Sequence, residues 1–100
     1  RMAQRIVNYM LYDTDRATYV ANIGAVYLGS EITDTTDSSY WHGALYVTEK
    51  KNWFVVVERG KTIDVEGHKL VPLSTGDAMR MLEKNKLWDI ILEHFDVEEA

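Results

Sequence analysis

The sequence predicts an α+β fold, an antiparallel sheet of about five strands closed on one face by two C-terminal helices. Two observations carry this. The stretch Tyr40 to Arg59, YWHGALYVTEKKNWFVVVER, sets two runs rich in β-branched and aromatic residues on either side of a short polar turn, the pattern of an antiparallel hairpin. From Ser74 onward the apolar period lengthens to that of a helix.

Gln4 to Tyr12 alternates as a first strand, with Ile6, Tyr9 or Met10, and Leu11 expected inward. Asp13-Thr14-Asp15 ends it, because short polar side chains bond to nearby backbone and favour turns. Thr18 to Leu28 admits two readings. Ala17, Val20, Ile23 and Tyr27 would line one helical face. Thr18-Tyr19-Val20 and Val26-Tyr27-Leu28 are strand formers, however, and Gly24 weakens a helix, so strand is preferred. Ser30 to Ser39, SEITDTTDSS, reads as an acidic loop without regular structure.

In the hairpin, Trp41, Gly43, Leu45 and Val47 share one face, and His42, Ala44, Tyr46 and Thr48 the other. The return strand sets Phe54 and Val56 against Trp53, Val55 and Val57. Both faces are largely apolar, so both require cover, from the rest of the domain or from a partner. Glu49-Lys50-Lys51-Asn52 suits a type I turn closed by a left-handed residue, and Asn52 is the expected one, since Asn tolerates that region well. Lys61 to Leu73 reads as two short strands, Thr62 to Val65 and Lys69 to Leu73, around Glu66-Gly67-His68.

Ser74 is a strong N-cap, with Asp77 three residues on and Leu73 placed to staple against Ala78. Ala78, Met79, Met81 and Leu82 form the expected buried side. The helix should end at Asn85, because continuing it would put Asn85 and Lys86 at apolar positions. A second helix carries Leu87, Trp88, Ile91, Leu92 and Phe95 on one stripe, read as core. Trp88 and Phe95 would be its interface anchors if part of that stripe were exposed.

One hundred residues fit a single domain spanning 1–100, with Arg1 ahead of Met2 read as a cloning remnant. A hydrophobic fraction of 46% and a single proline argue against disorder. The absence of cysteine leaves no disulfide or thiolate site and fits a cytoplasmic setting. No apolar run approaches membrane-spanning length.

The net charge of -5 is uneven. Ala17 to Glu49 holds no Lys or Arg, against Glu31, Asp34, Asp37 and Glu49; Asp89, Glu93, Asp96, Glu98 and Glu99 close the chain the same way. Such patches repel a phosphate backbone and attract a basic protein surface. Alternatively, they are solvated faces that keep the protein dispersed.

No catalytic, cofactor-binding or metal-binding constellation is expected. Gly60-Lys61-Thr62 looks like the end of a phosphate-binding loop, but Val55 stands where its first glycine belongs. His42, His68 and His94 lie 26 residues apart in turn, without the close pairing of zinc motifs. Asp34 and Asp37 lack the spacing of a calcium loop. No G-x-S-x-G nucleophile elbow is present.

Tyr12-Asp13-Thr14 with Ala17, then Ala44-Leu45-Tyr46 with Thr48, Trp53 and Phe54, then Val71-Pro72-Leu73-Ser74 with Ala78, carry a resemblance across nearly the whole chain. The pattern, roughly YDT-x-TA … LY-x-T-x-x-G-x-[WF]-F … PL[ST]-x-x-x-A, resembles a family of small uncharacterised bacterial proteins of mobile genetic elements, phages and their hosts. Asn52 is taken to replace the turn glycine, and Arg16-Ala17 stands where Thr-Ala is usual. The resemblance implies no activity or cofactor. It does imply a setting in which small acidic proteins block host machinery, CRISPR effectors included.

The expected function is therefore a non-enzymatic, anti-CRISPR-like protein-binding module whose partner presents a basic surface. Glu31, Asp34 and Asp37 form one expected contact patch, Asp96, Glu98 and Glu99 a second, with Tyr40 and Trp41 as the aromatic anchor. Two rivals stand beside it. One is a homodimer pairing a strand edge or the Trp88 stripe. The other is a small-ligand site on the sheet face using Tyr46, His42 and Trp53.

Overall fold

The hairpin at the centre of the sequence is also the centre of the sheet. The computed structural model describes residues 3–24, 41–59 and 69–100. Within them the order is β1 (Gln4–Val7), β2 (Met10–Asp13), β3 (Thr18–Gly24), β4 (Trp41–Val47), β5 (Trp53–Arg59), β6 (Lys69–Leu73), α1 (Thr75–Lys84) and α2 (Trp88–His94). β3, β4, β5 and β6 form a four-stranded antiparallel meander, and β1 and β2 form a separate two-stranded sheet. The expected single sheet of about five strands is thus divided in two. The strand expected at Thr62 to Val65 and residues 25–28 of the expected third strand lie outside the described residues.

The division has a local cause. Asn8 and Tyr9 both adopt positive φ, 52° and 66°, and close a two-residue loop between Val7 and Met10. Two consecutive left-handed residues make a type I′ turn, whose twist matches the flanking strands. The continuous strand expected from Gln4 to Tyr12 therefore folds back on itself. Its inward side chains change with it: Ile6 and Leu11, expected inside together with Tyr9 or Met10, are exposed, as are both Tyr9 and Met10, and Tyr12 is buried instead.

β5 alternates between two cores. Trp53, Val55 and Val57 join Leu45, Val47, Ile23 and Val71 beneath the helices, where Ala78, Met81, Leu82 and Ile91 meet them. Phe54 and Val56 point the other way, to Leu70 and to Tyr12 of β2. The sheet is covered on both faces by its own chain, the helices on one side and the β1–β2 hairpin on the other. A row of rings knits the second face together. Tyr12 meets Phe54 edge-on at 5.6 Å, Tyr46 stacks on Phe54 at 5.2 Å, and Tyr19 abuts Tyr46 at 5.8 Å.

Turns and caps follow their residues closely. Asp13 accepts from the Asp15 N–H at 2.8 Å and from Gln4 Nε2 at 3.0 Å, which satisfies its buried carboxylate. Ser74 caps α1, its hydroxyl accepting from the Asp77 N–H at 3.1 Å. At the other end Lys86, at φ 57°, donates its N–H to Glu83 O while Leu87 donates to Leu82 O, a Schellman closure. Asn85 then reaches across, accepting the Gly24 N–H on Oδ1 at 2.9 Å and donating from Nδ2 to Met81 O at 2.8 Å. That side chain ties the helix end to the end of β3.

The β4–β5 turn has the expected type, but its left-handed residue is Lys51, at φ 70°, not Asn52. The Lys51 N–H donates to Thr48 O at 2.9 Å, and the Asn52 N–H is held by Thr48 Oγ1 at 3.0 Å. The bulge then falls one residue earlier. A side chain at Lys51 carries the left-handed penalty, whereas Asn52 is already fixed by Thr48.

Two stability measurements follow. A Cβ on Gly43 would stand 2.7 Å from Val56 O and 3.0 Å from Val55 Cγ2, so Gly43→Ala should cost about 2 kcal/mol or more in urea melts. Lys51→Gly should raise stability by about 1 kcal/mol in the same melts, by relieving the left-handed strain. Asn52→Gly should not.

Candidate functional site

α2 is a short helix whose two sides differ. Ile91 is buried, and Leu87, Ile90 and Phe95 pack against the same core. Phe95 is committed inward, stacked on Trp53 with centroids 5.3 Å apart, while His94 meets that indole edge-on at 5.3 Å. Trp88 and Leu92, four residues apart and so adjacent on one helical face, are 55% and 65% exposed. The stripe expected to be core is therefore split. Two turns of helix contact the sheet along a narrow line through Leu87 and Ile91, and Trp88 and Leu92 fall outside it. Of the two expected anchors, Trp88 is available and Phe95 is not.

The chain beyond the helix is exposed and acidic. Asp96, Glu98 and Glu99 are all at the surface, as are Asp89 and Glu93 on α2. No Lys or Arg follows Lys86. Each such carboxylate contributes little alone, because water screens it. Together, beside an exposed indole, they make a surface that attracts positive charge and can bury an aromatic anchor.

The other expected contact residues are not brought to this surface by anything described. Glu31, Asp34, Asp37 and Tyr40 lie outside the described residues, as does the side chain of Trp41, whose backbone begins β4. The expected small-ligand site does not assemble. Tyr46 stacks on Phe54 on the hairpin side of the sheet, while Trp53 is buried under Phe95 on the helix side. Neighbouring strand positions of opposite parity cannot share a pocket. The side chain of His42 lies outside the described residues.

Among the described residues, no three His, Asp or Glu side chains are grouped to hold a metal ion. No buried side-chain nitrogen or oxygen among them lacks a hydrogen-bond partner. No helix among them is long and apolar enough to cross a membrane.

One feature was missed in the sequence. An open cleft of about 380 Å³ lies between β2 and the β4–β5 turn, lined by Tyr9–Asp13, Arg16 and Ala17 and, opposite, by Thr48, Glu49, Lys50 and Asn52. Asn8 was its signal, since an Asn in the middle of an alternating run marks a place where the chain can turn.

The split of α2 is measurable as stability. Trp88→Ala should change it by less than about 0.5 kcal/mol, as an exposed site should. Phe95→Ala should cost about 2 kcal/mol in the same urea titration, because it strips the stack from Trp53.

Comparison of the chain with protein-family models, with curated proteins and with solved structures finds no match.

Proposed function

We propose that the protein is a non-enzymatic binding module that docks a partner with a basic surface through the outward face of α2 and the acidic segment after it. The observation that carries this reading is the pairing of exposed Trp88 and Leu92 with Asp89, Glu93, Asp96, Glu98 and Glu99, with no Lys or Arg in that stretch. Trp is among the side chains enriched as energetic anchors in protein interfaces. Carboxylates around it speed encounter with a basic partner and disfavour nucleic acid.

In its sharpest form, the partner is a nucleoprotein of a bacterial defence system, and the module covers the basic surface on which that partner holds its nucleic acid. Kinship with small mobile-element and phage proteins, a cytoplasmic setting, and action as an anti-CRISPR-like inhibitor all belong to this proposal. Glu31, Asp34, Asp37, Tyr40 and Trp41 belong to it as a second contact patch. No cofactor enters it.

The test is an affinity capture from bacterial lysate at low and high salt, with wild type, Trp88→Ala, and the triple reversal of Asp96, Glu98 and Glu99 to Lys. A basic partner lost at high salt is expected. Trp88→Ala should weaken binding by about thirtyfold or more, and the reversal should slow association. A partner held equally by all three proteins would overturn this surface. A stable dimer in sedimentation, dissolved by Trp88→Ala, would replace it with self-association.

A further inference from the structure

The two edges of the four-stranded sheet each carry a device against further pairing. On β6, Pro72 offers no N–H, and the Arg5 guanidinium donates to Leu70 O at 2.8 Å. On β3, a register shift interrupts the strand between Tyr19 and Ala21, and the Gly24 N–H is taken by Asn85 Oδ1. Among the described residues, β1 is the one pairing partner of β2, and the outer edge of β2 is blocked only at its Asp13 end.

The register shows which backbone groups β2 presents. Val7 and Met10 flank a two-residue loop, so they form the first hydrogen-bonded pair, and Arg5 and Tyr12 form the next. The Thr14 N–H bond to Ala3 O, 3.0 Å, continues that phase. Leu11 and Asp13 therefore turn their backbone groups away from β1. Asp13 O is occupied by the Arg16 and Ala17 N–H groups, at 3.1 and 3.0 Å. The outward set is the N–H and C=O of exposed Leu11, with the N–H of buried Asp13 aimed the same way.

These groups belong to the strand that walls the open cleft opposite the β4–β5 turn. β2, Met10–Asp13, spans roughly 13 Å at the rise of a strand, the length of about four paired residues. We propose that this cleft is a strand-addition site, in which an extended peptide segment of a partner protein pairs with β2 as the third strand of the β1–β2 sheet. The site is separate from the α2 surface and does not depend on it.

The occupant's chemistry follows from the edge. Ile6 and Leu11 are cross-strand neighbours, 70% and 42% exposed, and form an apolar row that stops at the edge of β2. A bound strand would continue it with a β-branched or aromatic residue opposite Leu11. The charges of the lining balance, Arg16 and Lys50 against Asp13 and Glu49, so main-chain pairing and that apolar contact supply recognition. Tyr9 supports the reading. Its ring, at the tip of the β1–β2 turn, is fully exposed and lines the cleft.

The experiment is selection of binders to the whole protein from a displayed random heptapeptide library, followed by affinity measurements on the best sequence. Selected peptides should alternate apolar and polar residues. Their affinity should fall at least tenfold on Leu11→Pro, which deletes the outward N–H, and should survive Leu11→Val and Trp88→Ala. N-methylating alternate peptide residues should abolish binding in one phase and spare it in the other, a test that leaves the protein unaltered should Leu11→Pro unfold. Amide exchange at Leu11 and Asp13 should slow on peptide binding. The proposal is overturned if selection yields no binder, or if binders tolerate N-methylation in both phases. Exchange at Leu11 that slows with protein concentration alone would also overturn it, since a second copy would then own the edge.

Discussion

Every side chain of β5 from Trp53 to Val57 is buried, alternately on the two faces of the sheet. That is the constraint on which the rest of the molecule depends. A strand apolar on both sides cannot face water on either, so a chain of this length must supply two covers for one four-stranded sheet. Burying five such side chains contributes roughly 10 kcal/mol before the entropy of ordering the chain is set against it. The helices and the N-terminal hairpin exist in their observed places because those two faces require them.

The two covers are unequal in kind. The helical one is broad and well capped, held by Ser74 at one end and by Asn85 and the left-handed Lys86 at the other. It seals the larger core with side chains from both helices. The hairpin cover is narrow, centred on Tyr12 over Phe54 and continued by the stacked Tyr46. A two-stranded ribbon has two edges. β1 lies beside β6, where Arg5 reaches Leu70 O, and among the described residues β2 is left along the open cleft. Among the described residues, covering the sheet thus leaves two surfaces without a partner element, one along β2 and one on the outer side of α2.

Those surfaces differ in physics. The α2 face combines an indole, a leucine and a cation-free acidic tail, so contact there should depend on salt. The β2 edge offers directional backbone groups among balanced charges, so contact there should depend on peptide geometry and little on salt. The two proposed contacts would therefore be separated by their salt responses.

The sequence by itself determined the α+β class, the central hairpin with its two apolar faces, and both ends of α1. These are settled within a few residues of one another: alternation in Gly43–Val57, Ser74 three residues ahead of Asp77, and the polar Asn85-Lys86 pair after Leu82. Tertiary structure alone decided where the first strand breaks, because Ile6 and Leu11 fit an inward reading until Tyr12 takes the space over Phe54. It decided which turn residue goes left-handed, because Thr48 fixes Asn52 and passes the strain to Lys51. It decided that Trp88 faces water while Phe95 does not, because only the position of Trp53 shows which side of a two-turn helix meets the sheet. Periodicity reports that a side chain is apolar; which apolar side chains find partners depends on contacts made across the whole chain.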